Sequence, residues 1–416
     1  MVQPASLYDP NLSRLIEEFG VHENCLMVGE FPLSRVKRMV GSTPFYAYSR
    51  SAIRKRVEDV RQTLPAGVKL NYAIKANPMC SIVEDLARLV DGFDCASAGE
   101  MHLALNTGVA AHRISFTGPG KSPEELSRAI AAGVVIVAES RHEIELISNL
   151  ARELLIQPSV MIRINPDYSL RSGPMKMGGH PAQFGVDVDQ VPSLLSEIKQ
   201  LGLFLIGFHI FAGSQILDQE TLENSQREAI SLINNIASSS PFPVERINIG
   251  GGFGIPYHAE QHQVALKPLA THLEEQIRLN SKKRSAAQYE MELGRYLVGE
   301  AGLYICTVLD RKVSKGEIFV VTDGGMHHHL AASGNFGGML RRNFPIVVAN
   351  KLGDDQLETV TITGRLCTPL DVLGRKVTLP RCAVGDLIAI FQSGAYGLTA
   401  SPTSFLGHPL APEIYL

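Results

Sequence analysis

What most constrains the fold of this chain is a rhythm. From Phe45 onward, short apolar runs recur at Phe45–Tyr48, Lys69–Lys75, Gly92–Ala96, Arg113–Thr117, Val134–Ala138, Val160–Ile164, Phe204–Phe211 and Ile247–Ile249. Amphipathic, helix-like segments separate them, among them Ser51–Leu64, Ser81–Leu89, Ser122–Ala132, Arg141–Leu154, Val191–Leu201 and Leu222–Ser238. Ser122-Pro123-Glu124-Glu125 reads as a helix start: a capping serine, a proline in the first turn and acids against the dipole. Strands alternating with helices predict a parallel sheet, and eight of them predict a closed (β/α)8 barrel. An open doubly wound sheet would carry a glycine fingerprint after its first strand, which is absent.

After about residue 290 the rhythm changes. Leu303–Lys312, Ile318–Thr322, Pro345–Ala349, Glu358–Thr363, Lys376–Leu379 and Leu387–Gln392 read as strands with no helices between them. The expected organisation is α/β: a TIM barrel over 43–290, then an all-β domain over 291–416 that takes in 1–42 and its helix candidate Asn11–Phe19.

Composition narrows the function classes. A net charge of −3 gives no electrostatic case for nucleic acid or an anionic membrane. Apolar runs such as Ala129–Ala138 fall far short of a membrane span, and Met1 to Phe19 lacks a signal-peptide pattern. The six cysteines form no CxxC pair, which suits reduced thiols in a cytoplasmic enzyme.

Chemistry-bearing residues fall at the ends of the apolar runs, where a barrel places its site. They are Lys75, Asp94, Glu139, Arg163, Asn165, His209, Ser214 and then Gly250-Gly251-Gly252. In Leu70-Asn71-Tyr72-Ala73-Ile74-Lys75-Ala76-Asn77-Pro78, an apolar strand ends on a lysine and breaks at a proline. A lone lysine there commonly snorkels to solvent. The alternative is a Schiff-base lysine, whose amine is partly desolvated to act as a nucleophile. Gly250-Gly251-Gly252 follows the eighth run, the usual phosphate position of this barrel, and Ser214 after the seventh offers a hydroxyl to the same region.

In Glu292-Leu293-Gly294-Arg295 the acid and the base read either as a surface ion pair or as parts of a pyridoxal phosphate site. There the carboxylate would keep the pyridine nitrogen protonated and Arg295 would grip an anion. Cys367 and Tyr396 sit in turns, where a thiol and a phenol can serve packing alone. His327-His328-His329 is not read as a metal site, since adjacent side chains diverge and no second ligand cluster has suitable spacing.

Taken together, Tyr72-Ala73-Ile74-Lys75-Ala76-Asn77, His209 to Gln215, Gly250 to Gly252, Glu292 to Arg295, Asp323-Gly324-Gly325-Met326, Cys367 and Tyr396 resemble the fold-type III decarboxylases. These are the pyridoxal 5'-phosphate-dependent diaminopimelate, ornithine and arginine decarboxylases, which share the alanine racemase type of barrel. Phe208 to Gln215, Gly251 to Tyr257 and Leu366 to Asp371 are more similar to a narrower branch. Its members are associated with exosortase and exopolysaccharide clusters and resemble decarboxylases of carrier-tethered glutamyl groups.

The resemblance implies that Lys75, Glu292 and Cys367 are catalytic, Cys367 returning a proton to the product carbanion from the neighbouring subunit of a head-to-tail homodimer. It implies a cofactor held by Lys75, Asp94, Arg163, His209, Ser214, Gly250, Gly251, Gly252, Glu292, Gly294, Arg295 and Tyr396. It gives Arg295, Arg341, Thr368 and Tyr396 to the substrate. Phe211, Leu293, Arg365 and Thr368 depart from the diaminopimelate pattern, and Thr368 stands where that family places the acid that holds the substrate's distal ammonium. With Arg341 and Arg342 nearby, a neutral or acidic distal group is expected, a carrier-linked glutamyl being one form. The alternatives are diaminopimelate decarboxylase proper, a racemase of the same fold, and a catalytically dead regulator.

Overall fold

The computed structural model describes residues 8–170, 173, 175–281, 287–335 and 342–416. Two compact units emerge: one of 57–254 with 263–294, the other of the chain up to Arg56 with 255–262 and 295–416.

The first unit is the barrel. Its strands are β1 (Lys69–Ala73), β2 (Gly92–Cys95), β3 (Ile114–Phe116), β4 (Val135–Ala138), β5 (Ser159–Asn165), β6 (Phe204–His209), β7 (Arg246–Gly251) and β8 (Gln288–Leu293). Each pairs in parallel with the next, as in Asp94↔Ser115 between β2 and β3 or Phe208↔Ile247 between β6 and β7. Pairing of Leu293 with Tyr72 joins β8 to β1 and closes the ring. Residues of β2, β3 and β4 are buried throughout, as strands covered on both faces must be. The helix at Pro123–Ala132 starts with the capping box read from the sequence, Ser122 bonding the Glu125 N–H and the Glu125 side chain bonding back.

The membership of the ring corrects the sequence reading. Phe45–Tyr48 is not a barrel strand; it runs antiparallel to Gly302–Ser314 and parallel to Glu413–Tyr415 in the sheet of the other unit. The strand that completes the barrel is β8, which was not among the eight runs. Its sequence, Gln-Tyr-Glu-Met-Glu-Leu, carries two buried acids and lacks an apolar run. Those acids are tolerated because they have partners on other strands of the ring: Glu290 bonds Arg246 of β7 at 2.5 Å and Asn71 of β1 at 3.2 Å. Lys75 therefore follows the first barrel strand, in a single 3₁₀ turn (Ile74–Ala76), Ser214 follows the sixth, and the glycine run ends the seventh.

In the second unit Gly302–Ser314 is the central strand, flanked by Glu317–Thr322, Leu387–Ile390 and Phe45–Tyr48. The helix Pro10–Phe19, capped by the Asp9 carboxylate, sends Leu12, Leu15, Ile16 and Phe19 into the same core as Phe45, Leu303 and Phe391. No helix among the described residues is long and apolar enough to cross a membrane.

Candidate active site

The ends of the barrel strands carry three buried carboxylates, each with a partner. Asp94, on β2, is 1% exposed and accepts from Lys75 Nζ at 2.7 Å, while Thr117 Oγ1 donates to its other oxygen at 2.6 Å. Glu139, just after β4, holds Arg163 of β5 at 3.1 Å and also accepts the backbone N–H groups of Gly118 (2.7 Å) and Gly185 (3.1 Å). The Arg163 guanidinium lies over the Phe184 ring, 4.8 Å from its centroid. Glu292, on β8, meets His209 Nε2 from β6 at 2.9 Å and Asn248 Nδ2 from β7 at 3.4 Å. Burial works to raise the Glu292 pKa. The field and hydrogen bond of His209, with Lys75 and Arg163 behind it, outweigh burial and hold it well below the usual carboxylate range. A lysine amine and an ionised carboxylate thus belong to one electrostatically linked group.

The glycine run is a backbone cradle. Gly250 and Gly252 have φ of +69° and +79°, a conformation that L side chains rarely adopt. A Cβ on Gly250 would lie 2.6 Å from the Ile210 carbonyl oxygen; on Gly251 it would overlap the Glu292 carbonyl, and on Gly252 the Gly213 carbonyl. The loop after β6 is stitched against it: Ile216 N–H donates to Gly252 O at 3.0 Å, and Gly254 N–H to Ile216 O at 2.9 Å. Ser214 is thereby placed beside the run. Asn248 Oδ1 accepts from Gly250 N at 2.9 Å, so one side chain braces the cradle and faces Glu292. Gly294 is equally committed, with Ala76 Cβ 2.9 Å from any added carbon, which brings the end of β8 close to the Lys75 turn. These features fit pyridoxal phosphate: tight backbone turns where a phosphate binds, a buried anion to face a ring nitrogen, and a half-exposed lysine.

The second unit holds the remaining candidates. Arg295 Nη1 donates to Tyr257 Oη at 2.7 Å, and its guanidinium carbon lies 4.7 Å from the Tyr396 ring centroid and 5.7 Å from that of Tyr257. Its Nε is buried without a hydrogen-bond partner among the described residues. Cys367 is an exposed free thiol on a loop organised by Asp371, whose carboxylate accepts from Met326 N (2.7 Å) and Leu366 N (2.9 Å). Thr368 lies on that loop and borders a cavity of about 510 Å³ with Lys312, Phe319 and Arg375. Arg341 lies outside the described residues. Arg342 is paired with exposed Glu260, so the expectation that its charge tilts the field toward anions needs correction. Of the three consecutive histidines, His328 faces the Pro409 carbonyl at 2.8 Å and His329 the Ser393 hydroxyl at 2.9 Å, while His327 packs against the rings of His328 and His408.

Sequence reasoning missed Asn248, Thr117 and Tyr257 as parts of these arrangements, and it named Glu139 without a partner. The available signal for Asn248 was a polar residue inside an otherwise apolar strand immediately before a glycine run.

Comparison with known proteins agrees with this geometry. A family model described as pyridoxal-dependent decarboxylase, pyridoxal binding domain, matches residues 50–299. The chain is 38% identical over 378 residues to an L-glutamyl-[BtrI acyl-carrier protein] decarboxylase of Niallia circulans, covering 89% of this chain and 88% of the relative. It is 30% identical over 364 residues to a diaminopimelate decarboxylase of Campylobacter jejuni, covering 86% and 87%. Among solved structures, diaminopimelate decarboxylase from Helicobacter pylori complexed with L-lysine superposes with a TM-score of 0.82 at 28% identity, covering 92% of this chain and 94% of that one.

Proposed function

We propose that this chain, which belongs to the pyridoxal-dependent decarboxylase family, removes the α-carboxyl group of an amino-acid derivative whose far end carries no free ammonium. A glutamyl group tethered to a carrier is the model substrate, by analogy with the Niallia circulans relative. Bound pyridoxal phosphate supplies the sink for the electron pair left at the α-carbon when carbon dioxide departs.

The chain's own residues divide the remaining work. Lys75 is the amine that carries the cofactor, and Asp94 holds that amine in place. Gly250, Gly251, Gly252, Gly294 and Ser214 receive the phosphate through backbone N–H groups and a hydroxyl. Glu292 keeps a negative charge against the ring nitrogen, with His209 and Arg163 around it. Arg295, steadied by Tyr257 and Tyr396, offers its remaining N–H groups to an anionic group of cofactor or substrate. Cys367 returns the proton from the neighbouring subunit of a homodimer, in a site shared by two chains. The six unpaired cysteines favour a reducing compartment, the cytoplasm.

The observation that carries this reading is the buried Glu292 carboxylate, held by His209 at 2.9 Å on the strand that pairs with the one leading into Lys75. The substrate class rests on Thr368, since a hydroxyl hydrogen-bonds an ammonium but cannot neutralise it. The test compares kcat/KM for meso-diaminopimelate, free glutamate and carrier-linked glutamyl. The reading expects the carrier-linked substrate to be used best, and Thr368→Glu to raise diaminopimelate use from a low baseline. Efficient turnover of diaminopimelate by the parent protein contradicts the substrate assignment.

A further inference from the structure

We infer that Lys121 is a positioning residue: buried behind the loop that follows β3, it pins that loop so that Thr117 and Gly118 hold the site carboxylates Asp94 and Glu139 in fixed places. The inference rests on the reading of Asp94 and Arg163 as residues that serve the bound cofactor. The arrangement itself lies wholly within the barrel.

Lys121 is 5% exposed and does not reach for solvent as lysines commonly do. Its ammonium has three N–H donors and meets three acceptors: Gly118 O at 2.6 Å, Val137 O at 2.8 Å and Glu143 Oε2 at 3.1 Å. Its Nζ also lies 5.6 Å from the Phe116 ring centroid. Glu143, in the first turn of the helix Arg141–Leu154, completes the frame. Its Oε1 accepts from Lys121 N at 3.2 Å and its Oε2 from Glu139 N at 2.9 Å. One buried ion pair thus ties the loop after β3 to the end of β4.

The pinned loop makes two contacts with the site. Thr117 Oγ1 donates to Asp94, the partner of Lys75, and Gly118 N donates to Glu139, the partner of Arg163. Asp94 and Glu139 come from the strands on either side of β3, so a single loop sets both. Burying two charges and fixing a long side chain consumes most of what their attraction returns, so such a pair is a poor source of stability. What this pair supplies is placement.

The test uses the full-length protein. Lys121→Met combined with Glu143→Gln removes both charges together, so neither is left buried without its partner. Equilibrium dialysis gives the Kd for pyridoxal phosphate, and thermal unfolding of the cofactor-free protein is followed beside it. The double variant should bind the cofactor about 10- to 100-fold more weakly, and Thr117→Val alone about 10-fold more weakly. Added to the double variant, Thr117→Val should weaken binding by less than about threefold more, because its contact is already lost. A parent-like Kd in either variant, whatever the unfolding temperature, or a full 10-fold further loss on combining them, overturns the inference. If the double variant does not fold, hydrogen exchange on the cofactor-free parent decides: the Gly118 and Lys121 amides should exchange as slowly as those of β3, and rapid exchange overturns the pin. Carbon dioxide release is scored separately. A parent that binds the cofactor but never decarboxylates removes only the enzyme reading, and an active parent whose variants bind the cofactor as tightly removes this inference alone.

Discussion

Gly252→Ala isolates the cost of the phosphate cradle, because Gly108 provides a matched control. Both glycines have φ of +79°, but a Cβ on Gly108 meets nothing within 4 Å, while one on Gly252 overlaps the Gly213 carbonyl oxygen and sits 3.2 Å from its carbon. The left-handed backbone costs either alanine about 1–2 kcal/mol. Only Gly252→Ala adds overpacking against backbone, about 1–3 kcal/mol more. The relief available is to push the Gly213–Ser214 segment away from the glycine run, which loosens the Ile216 N–H to Gly252 O bond and moves Ser214. Losing one to two hydrogen bonds to the phosphate should weaken pyridoxal phosphate binding about 10- to 100-fold. The assay is the Kd for the cofactor by equilibrium dialysis, beside thermal unfolding of the cofactor-free proteins. Gly108→Ala should lose a little stability and bind the cofactor as the parent does. Parent-like binding by Gly252→Ala, with a stability loss no larger than that of Gly108→Ala, would refute the cradle.

Three further outcomes are expected. Glu292→Gln should retain the cofactor but slow carbon dioxide release at least about 100-fold, the usual cost of removing an electrostatic stabiliser; parent-like turnover contradicts its role. Glu300 is 6% exposed and bridges Arg14 (2.5 Å) and Arg56, so Glu300→Gln should lower unfolding free energy by about 3–5 kcal/mol through the stranded arginines. Burial would raise the Glu300 pKa, but Arg56 and Arg14 outweigh it and hold it low; its contribution is thus complete above the unfolded value, about 4.3, and fades as pH falls through the folded one, so denaturant titrations of parent and variant should converge at acid pH. Mixing Lys75→Ala with Cys367→Ala protein should restore part of the activity if one site draws on two chains, and no recovery between subunits shown to exchange places Cys367 elsewhere.

Much of the barrel was legible because its strands are buried on both faces and so read as apolar runs between amphipathic helices. The exception is instructive. β8 carries Glu290 and Glu292, whose compensation comes from Arg246, Asn71 and His209, partners one or two strands away in the ring but far along the chain. Phe45–Tyr48 is as apolar as a barrel strand, and nothing local says that its neighbours are Gly302–Ser314 and Glu413–Tyr415. At the site, Lys75, the glycine run and Glu292 were readable because each residue type does one unusual thing in its context. Thr117, Asn248 and Tyr257 were not, since hydroxyls and amides in strands and loops are common and acquire meaning only from what they touch. The ion pair of Arg342 with Glu260 was hidden for the same reason.

The most direct test of the central claim is product analysis in D₂O. Purified, cofactor-loaded protein is given a panel of free and carrier-linked α-amino acids labelled in the α-carboxyl group, with Lys75→Ala as the control. The account predicts one labelled carbon dioxide for each product, a single deuteron at the α-carbon of that product, and neither with Lys75→Ala. Deuterium entering recovered substrate with no carbon dioxide released would mean a racemase on this fold, and would contradict it.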